Sequence, residues 1–212
     1  MTKKLLISIL VVLAAGISIN FVILNNEQKR NAAIQNEKNE TPALLTSFNE
    51  EMKWYSLSEA LEIQEKSGKK LFIDVYTTWC GPCKWLEANT FSNTVIQEQL
   101  TKYYIPVKFN AEGNDTVTYK GVEYVNKKPT MKTGARGNTH DLTYAIAQTQ
   151  QGIGYPTMVF MDKEQNIIQP ISGALSAAQL EPILSFFGSD AYLTTTWEEY
   201  SKTFQSNLSS SN

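Results

Sequence analysis

Only two cysteines occur among 212 residues, and they stand three apart, as Cys80 and Cys83, directly behind the apolar run of residues 71–76. One pair cannot build a disulfide framework, so the chain must fold on a hydrophobic core, and any sulfur chemistry is confined to this pair. The run 71–76 reads as a buried strand, and the residues after Cys80 read as the first turn of a helix. Unpaired N–H groups and the positive end of the helix dipole stabilise an anion there, so Cys80 is expected to ionise below the ~8.5 of a free cysteine. It is the candidate nucleophile and the expected exposed thiolate. Cys83, one turn on, lies within reach as the resolving thiol, and Pro82 suits a first turn, where a missing N–H costs little. Two other readings stay open at this point, an inert surface bridge and half of a zinc site. Zinc would need carboxylates to complete its ligands, because His140 is the single histidine, and that is an uncommon structural set. No metal or cofactor is expected.

With 42% hydrophobic residues the chain can fill one core, and its length suits one domain plus accessories. A net charge of −2 provides no global field for nucleic acid, so none is expected as a partner. Residues 5–24, with Lys3 and Lys4 ahead of them, contain sixteen apolar positions of twenty. A helix of that length rises about 30 Å, enough to span a bilayer, and the apolar stretch continues past Ala14-Ala15-Gly16, where a cleaved signal would end. Residues 1–24 are therefore read as a membrane anchor, with a cleaved export signal as the rival. The body is expected outside the membrane, periplasmic and anchored to the inner membrane, or free in the periplasm after cleavage. Residues 25–50 are a polar tether, 51–205 the folded body, and 206–212 a Ser/Asn tail.

Along the body, Ser56 and Glu59 form a capping box for a helix over 57–67 that stops at Gly68. Helices are predicted from 84 to 88, from 94 through 100, and from 141 to 150, with a strand at 104–109. Residues 157–161 and 167–171 flank a turn and form a hairpin. Ser176 with Gln179 starts a further helix, which Pro182 is expected either to kink or to delay until Glu181. A last helix, 197–204, is capped by Thr196 and Glu199. His140, at the start of 141–150, is read as a solvated cap. The order specifies an α/β sandwich.

The segment Trp79-Cys80-Gly81-Pro82-Cys83-Lys84 resembles the active site of the thioredoxin superfamily, and Gly154-Tyr155-Pro156-Thr157 resembles its cis-proline loop. Thr90-Phe91-Ser92-Asn93, with Val95 and Leu100, is similar to the periplasmic branch that includes the C-terminal domain of DsbD. The resemblance covers about residues 52–188 and implies a thioredoxin-like sandwich with a central mixed sheet, carrying here an insertion at 111–140 and an extra C-terminal helix. It also implies site roles. Cys80 and Cys83 form the redox-active disulfide, and Asp74 takes the proton of the resolving cysteine, as a buried acid of raised pKa could. Lys108 partners that acid, although a strand lysine also fits an edge position with its amine in water. Trp79, Gly81 and Pro82 support the site. Pro156, if cis, turns the backbone of Tyr155 toward an extended substrate, with Tyr155 and Thr157 as substrate-binding residues.

The function implied is a membrane-tethered extracytoplasmic thiol–disulfide oxidoreductase, a reductant by its Gly-Pro pair, with protein disulfides as clients. Its electrons would come from an upstream donor such as a membrane thiol transporter. An assembly factor that docks one client through its thiols, or a disulfide oxidase or isomerase, are the alternatives. Cys83 and Pro156 are 73 positions apart, about thirty more than in the resembled layout. Residues 116–119 and 122–125, joined by Lys120-Gly121, read as a hairpin. Five basic residues, Lys120, Lys127, Lys128, Lys132 and Arg136, face only Glu123 there. The expectation is that this hairpin walls the groove beside Cys80 and Tyr155 and favours acidic or extended clients.

Overall fold

The computed structural model describes residues 52–128 and 136–208. Two compact units divide the chain, Met1–Glu50 and Glu51–Asn212, and the described residues all belong to the second. The expected anchor and tether, Lys132 and the last residues of the tail lie outside the described residues. Among the described residues no helix is long and apolar enough to cross a membrane.

The elements are α1 (Leu57–Ser67), β1 (Lys70–Tyr76), α2 (Gly81–Leu86), α3 (Thr94–Tyr103), β2 (Tyr104–Asn110), β3 (Val117–Tyr119), β4 (Val122–Tyr124), α4 (Asp141–Ile146), β5 (Thr157–Met161), β6 (Ile167–Ser172), α5 (Ala177–Gly188) and α6 (Trp197–Thr203). Four strands form a mixed sheet in the order β2-β1-β5-β6. β1 runs parallel to β2 and antiparallel to β5, which pairs antiparallel with β6. Tyr55 extends the sheet past β2, donating its N–H to Pro106 and accepting from Lys108 N–H.

Alternation along β1 sorts its side chains between two apolar layers. Leu71, Ile73 and Val75 face α1, α4 and the β3–β4 hairpin, while Phe72 faces α2, α3 and α5. The same alternation places Asp74 with Phe72. In β2, Val107 and Phe109 take the first face and Tyr104 the second, which leaves Lys108 on the second. Asp74 and Lys108 are register partners in this parallel pair, so the sheet itself brings acid and base side by side.

Four local expectations are corrected. Helix α5 starts at Ala177 behind the expected Ser176–Gln179 box, not at Glu181, and runs through Pro182, because Leu180 and Leu184 are fully buried on either side of it and tertiary packing outweighs the lost hydrogen bond. Helix α4 ends at Ile146, since Thr149 and Gly152 close a tight turn with two backbone hydrogen bonds. After α2 the chain widens into a π-turn, Glu87–Phe91, which carries Thr90 and Phe91 into the core; Thr90 Oγ1 donates to Leu175 C=O at 2.6 Å. His140 does cap α4, its Nδ1 accepting from Leu142 N–H at 3.1 Å, but it is buried rather than solvated. Its ring packs on Phe109, and its Nε2 lies 2.7 Å from Asp115 C=O, to which it donates.

The hairpin of the insertion forms, turning at Lys120 and Gly121, both at positive φ. A left-handed pair of this kind matches the twist of the strands, and Gly121 supplies it without a Cβ clash. Its position differs from expectation. Val117 and Tyr119 are buried in the α1 layer, Tyr119 Oη donates to Gln165 C=O, and Lys120 Nζ to Asn166 Oδ1. Those partners sit in the turn after β5, at the end of that strand remote from Pro156. Burial of two apolar side chains therefore draws the hairpin away from the cysteines. At the C-terminus, Glu181 on α5 is fully buried and accepts from Ser206 Oγ and from Asn207 N–H at 2.7 Å, so this part of the expected tail is clasped to the body.

Candidate active site

Cys80 is the N-cap of α2, in an extended conformation, with Gly81 and Pro82 opening the helix. Its Sγ accepts from Cys83 N–H at 3.1 Å, the contact that would hold charge on Cys80 in the reduced protein. Cys80 and Cys83 are joined as a disulfide. In this state neither is exposed, at 2% for Cys80 and 6% for Cys83, so exposure does not rank them as expected. What distinguishes them is their surroundings: Cys80 has the helix N-terminus, and Cys83 has a cavity. A Cβ added at Gly81 would meet nothing within 4 Å, so glycine there leaves open surface over the disulfide and is not required by packing.

The cavity, about 370 Å³, is lined by Asp74, Tyr76, Thr77, Thr78, Cys83, Lys84, Glu87 and Lys108. Asp74 is 1% exposed, and its Oδ2 accepts from Lys108 Nζ at 2.7 Å. Its Oδ1 has no partner among the described residues. Burial pushes the Asp74 carboxyl above its ordinary pKa, and Lys108 only partly offsets this. Burial also works against the Lys108 ammonium, but Asp74 and Glu87 outweigh it and leave Lys108 above its ordinary value. A weakened acid beside a retained cation, on the cavity that Cys83 borders, is suited to taking a thiol proton near neutral pH.

Lys108 is thus paired on its strand face and is not an edge lysine with its amine in water. Its Nζ also contacts the Glu87 carboxylate, and it stacks 4.6 Å over the Trp54 ring and 5.0 Å over Phe91. Glu87 escaped the sequence reading, although its place four residues after Cys83 puts both on one helical face. The π-turn begins at this residue, as such turns often do near functional groups.

On the other side of the disulfide, Trp79 Nε1–H donates to Glu112 Oε2 at 2.9 Å, and the same oxygen accepts Gly137 N–H at 2.9 Å. Glu112 is 4% exposed, a buried carboxylate just past β2 that ties the returning arm of the insertion to the residue before Cys80. The Arg136 guanidinium lies 4.4 Å over the Trp79 ring, and Tyr155 meets that ring edge-on at 6.0 Å. Thr139 Oγ1 and Tyr155 Oη are 3.5 Å apart. So residues 136–139, and not the hairpin, reach the site. Neither Glu112 nor Arg136 was picked out for these contacts, because they depend on how the insertion folds back.

The Tyr155–Pro156 bond is cis. No backbone hydrogen bond among the described residues uses the N–H or C=O of Tyr155. Thr157, expected to touch substrate, is instead fully buried, and its Oγ1 donates to Gly154 C=O at 2.8 Å, bracing the loop from within. No cluster of metal-ligating side chains occurs among the described residues.

A cysteine pair at a helix mouth, with a cis X-Pro loop ahead of a strand of a mixed sheet that carries helices on both faces, defines a thioredoxin-like protein. The family profile of the thioredoxin-like domain matches residues 57–188, from the start of α1 to the end of α5, and the chain belongs to that family. Among curated relatives, the thioredoxin-like protein YneN of Bacillus subtilis is 24% identical over 190 residues, covering 85% of this chain and 96% of YneN. The thiol-disulfide oxidoreductase ResA of Bacillus thuringiensis is 25% identical over 124 residues, covering 58% of this chain and 66% of ResA. A thioredoxin from Thermus thermophilus superposes with a TM-score of 0.46 at 15% identity, over 67% of this chain and 94% of that one. A DsbH oxidoreductase gives 0.44 at 16%, over 66% and 87%. Scores below 0.5 carry no weight beyond the family match.

Proposed function

We propose that the protein is a thiol–disulfide oxidoreductase that reduces disulfides of protein clients, held at the outer face of a membrane by residues 5–24. The observation that carries the chemistry is the Cys80–Cys83 disulfide set between a helix N-terminus and the Asp74 cavity. A relative named as a thiol-disulfide oxidoreductase supports it. In the reduced protein the Cys80 thiolate attacks one sulfur of a client disulfide and expels the other as a thiolate. Asp74 then accepts the Cys83 proton, and Cys83 attacks Cys80 Sγ. The second client thiolate leaves, and the protein ends oxidised by two electrons while the client is reduced by two. Tyr155, its N–H and C=O uncommitted among the described residues, would pair with the client backbone beside the reacting sulfur.

The Gly-Pro pair between the cysteines supports the reducing direction, and the apolar run after Lys3 and Lys4 supports the tether. The test is turnover. Reduced protein supplied with a chemical reductant should cleave the disulfides of a generic protein substrate over many cycles. A single stoichiometric complex without turnover would instead mark a docking factor for one client. The tether is tested separately: full-length protein should stay with membranes through a carbonate wash, whereas a soluble form starting near Ile17 would contradict it.

A further inference from the structure

We propose that Arg136 selects client segments that carry a carboxylate next to the reacting cysteine, an inference that rests on the reading of the site as a thiol–disulfide exchanger of proteins. The insertion delivers this residue to Trp79, the neighbour of Cys80, and the buried Glu112 carboxylate fixes the arm there through Gly137 N–H. Arg136 is exposed, and its guanidinium carbon lies over the indole at 4.4 Å from the ring centroid. A guanidinium carries five N–H donors, and one seated over an indole keeps donors for a carboxylate, which can take two of them at once.

The charge of Arg136 is not neutralised among the described residues. No ion pair there includes it, and the Glu112 carboxylate that holds its arm turns Oε2 to Trp79 and Gly137 instead. Lys84, exposed in the first turn of α2, likewise enters no ion pair among the described residues. The two carboxylates nearest it in the cavity wall, Asp74 and Glu87, are both tied to Lys108. The surface about the disulfide therefore offers two cations that enter no ion pair among the described residues, and the acids about them are turned to other donors. An extended client paired with the Tyr155 backbone would lie beside Trp79, the ring that Tyr155 meets edge-on and Arg136 covers. The other basic residues of the insertion do not share this role. Lys120 bonds Asn166 at the far end of β5, and Lys127 pairs with Asp141.

An exposed charge pair is worth a few-fold in affinity and acts largely on association, so the preference should be about threefold and should fade with salt. The experiment uses the full-length protein and two disulfide-linked peptides that differ only in a Glu or a Lys beside the cysteine, together with the neutral 2-hydroxyethyl disulfide. Reduction of the neutral disulfide by the wild type tests the exchange chemistry alone. The ratio of kcat/KM for the two peptides tests the proposal, since each protein serves as its own reference. The wild type should favour the Glu peptide about threefold at low ionic strength and lose the preference in high salt. Arg136→Gln should reduce the preference to what Lys84 supplies, and Arg136→Glu should abolish or invert it. A wild type indifferent to the peptide charge, or a ratio unchanged in both variants, would overturn the proposal while leaving the exchange chemistry in place. Failure to reduce even the neutral disulfide would overturn both.

Discussion

Removing the cation beside a buried acid has an effect that can be worked from the geometry. Lys108→Met keeps most of the stem but takes away the Nζ that sits 2.7 Å from Asp74 Oδ2. Breaking a buried ion pair on one side costs about 3–5 kcal/mol, because the surviving charge is stranded. Lys108 retains 24% exposure against 1% for Asp74, so water screens part of the attraction, and the lower end, about 3 kcal/mol, is expected at pH 8. The Glu87 side is half exposed and adds little. Loss of the stacking on Trp54 and Phe91 contributes about 1 kcal/mol that does not depend on Asp74. The pH dependence has a definite sign. Burial raises the Asp74 pKa in the folded chain, so the folded state holds this proton more tightly than the unfolded one. The stability due to that proton is complete below the unfolded value, about 3.9, and is lost as pH rises through the folded value. Without Lys108 the folded value moves higher still, so the penalty of the variant should grow between pH 4 and pH 8. Urea unfolding of the oxidised wild type, Lys108→Met, Asp74→Asn and the double variant at both pH values measures this. The Lys108→Met cost should fall to about 1 kcal/mol at pH 4 and in the Asp74→Asn background at either pH. Equal costs in both backgrounds and at both pH values would refute the pairing as the source of stability.

Two further outcomes follow from the site. Asp74→Asn should slow release of the mixed disulfide about a hundredfold at neutral pH and progressively less as alkali ionises Cys83 unaided; stopped-flow release rates across pH check this, and a loss independent of pH would make Asp74 structural only. Glu112→Ala strands two donors, Trp79 Nε1–H and Gly137 N–H, and should cost about 2 kcal/mol with a change in Trp79 emission, whereas Glu112→Gln, which keeps an acceptor, should recover most of both.

Much of the frame is readable from local chemistry. The Ser56–Glu59 and Thr196–Glu199 boxes mark their helices, and the apolar run 71–76 gives the strand that carries Asp74. The Cys80–Cys83 spacing and the Gly154-Tyr155-Pro156 loop mark the site because their chemistry is compact in sequence. Contacts made by long-range return of the chain were not readable. Arg136 reaches Trp79, and Tyr119 reaches Gln165, only after the hairpin has buried Val117 and Tyr119 in the α1 layer. Nothing in the segment 111–140 states which of its faces the core will accept. His140 has a cap signature either way, and only the fold decides that Phe109 and Asp115 enclose it. Thr157 follows the loop proline in sequence, but strand alternation turns its side chain inward.

The claim on which the account depends is that Cys80 attacks and Cys83 resolves. It is tested most directly by incubating Cys83→Ala and Cys80→Ala, each reduced, with a disulfide-bonded protein substrate and resolving the products without reductant. Cys83→Ala should accumulate a mixed disulfide through Cys80, held because no second thiol can release it, and Cys80→Ala should accumulate none. Equal trapping by the two variants, or trapping by Cys80→Ala alone, would contradict the assignment of the helix N-terminal sulfur as nucleophile.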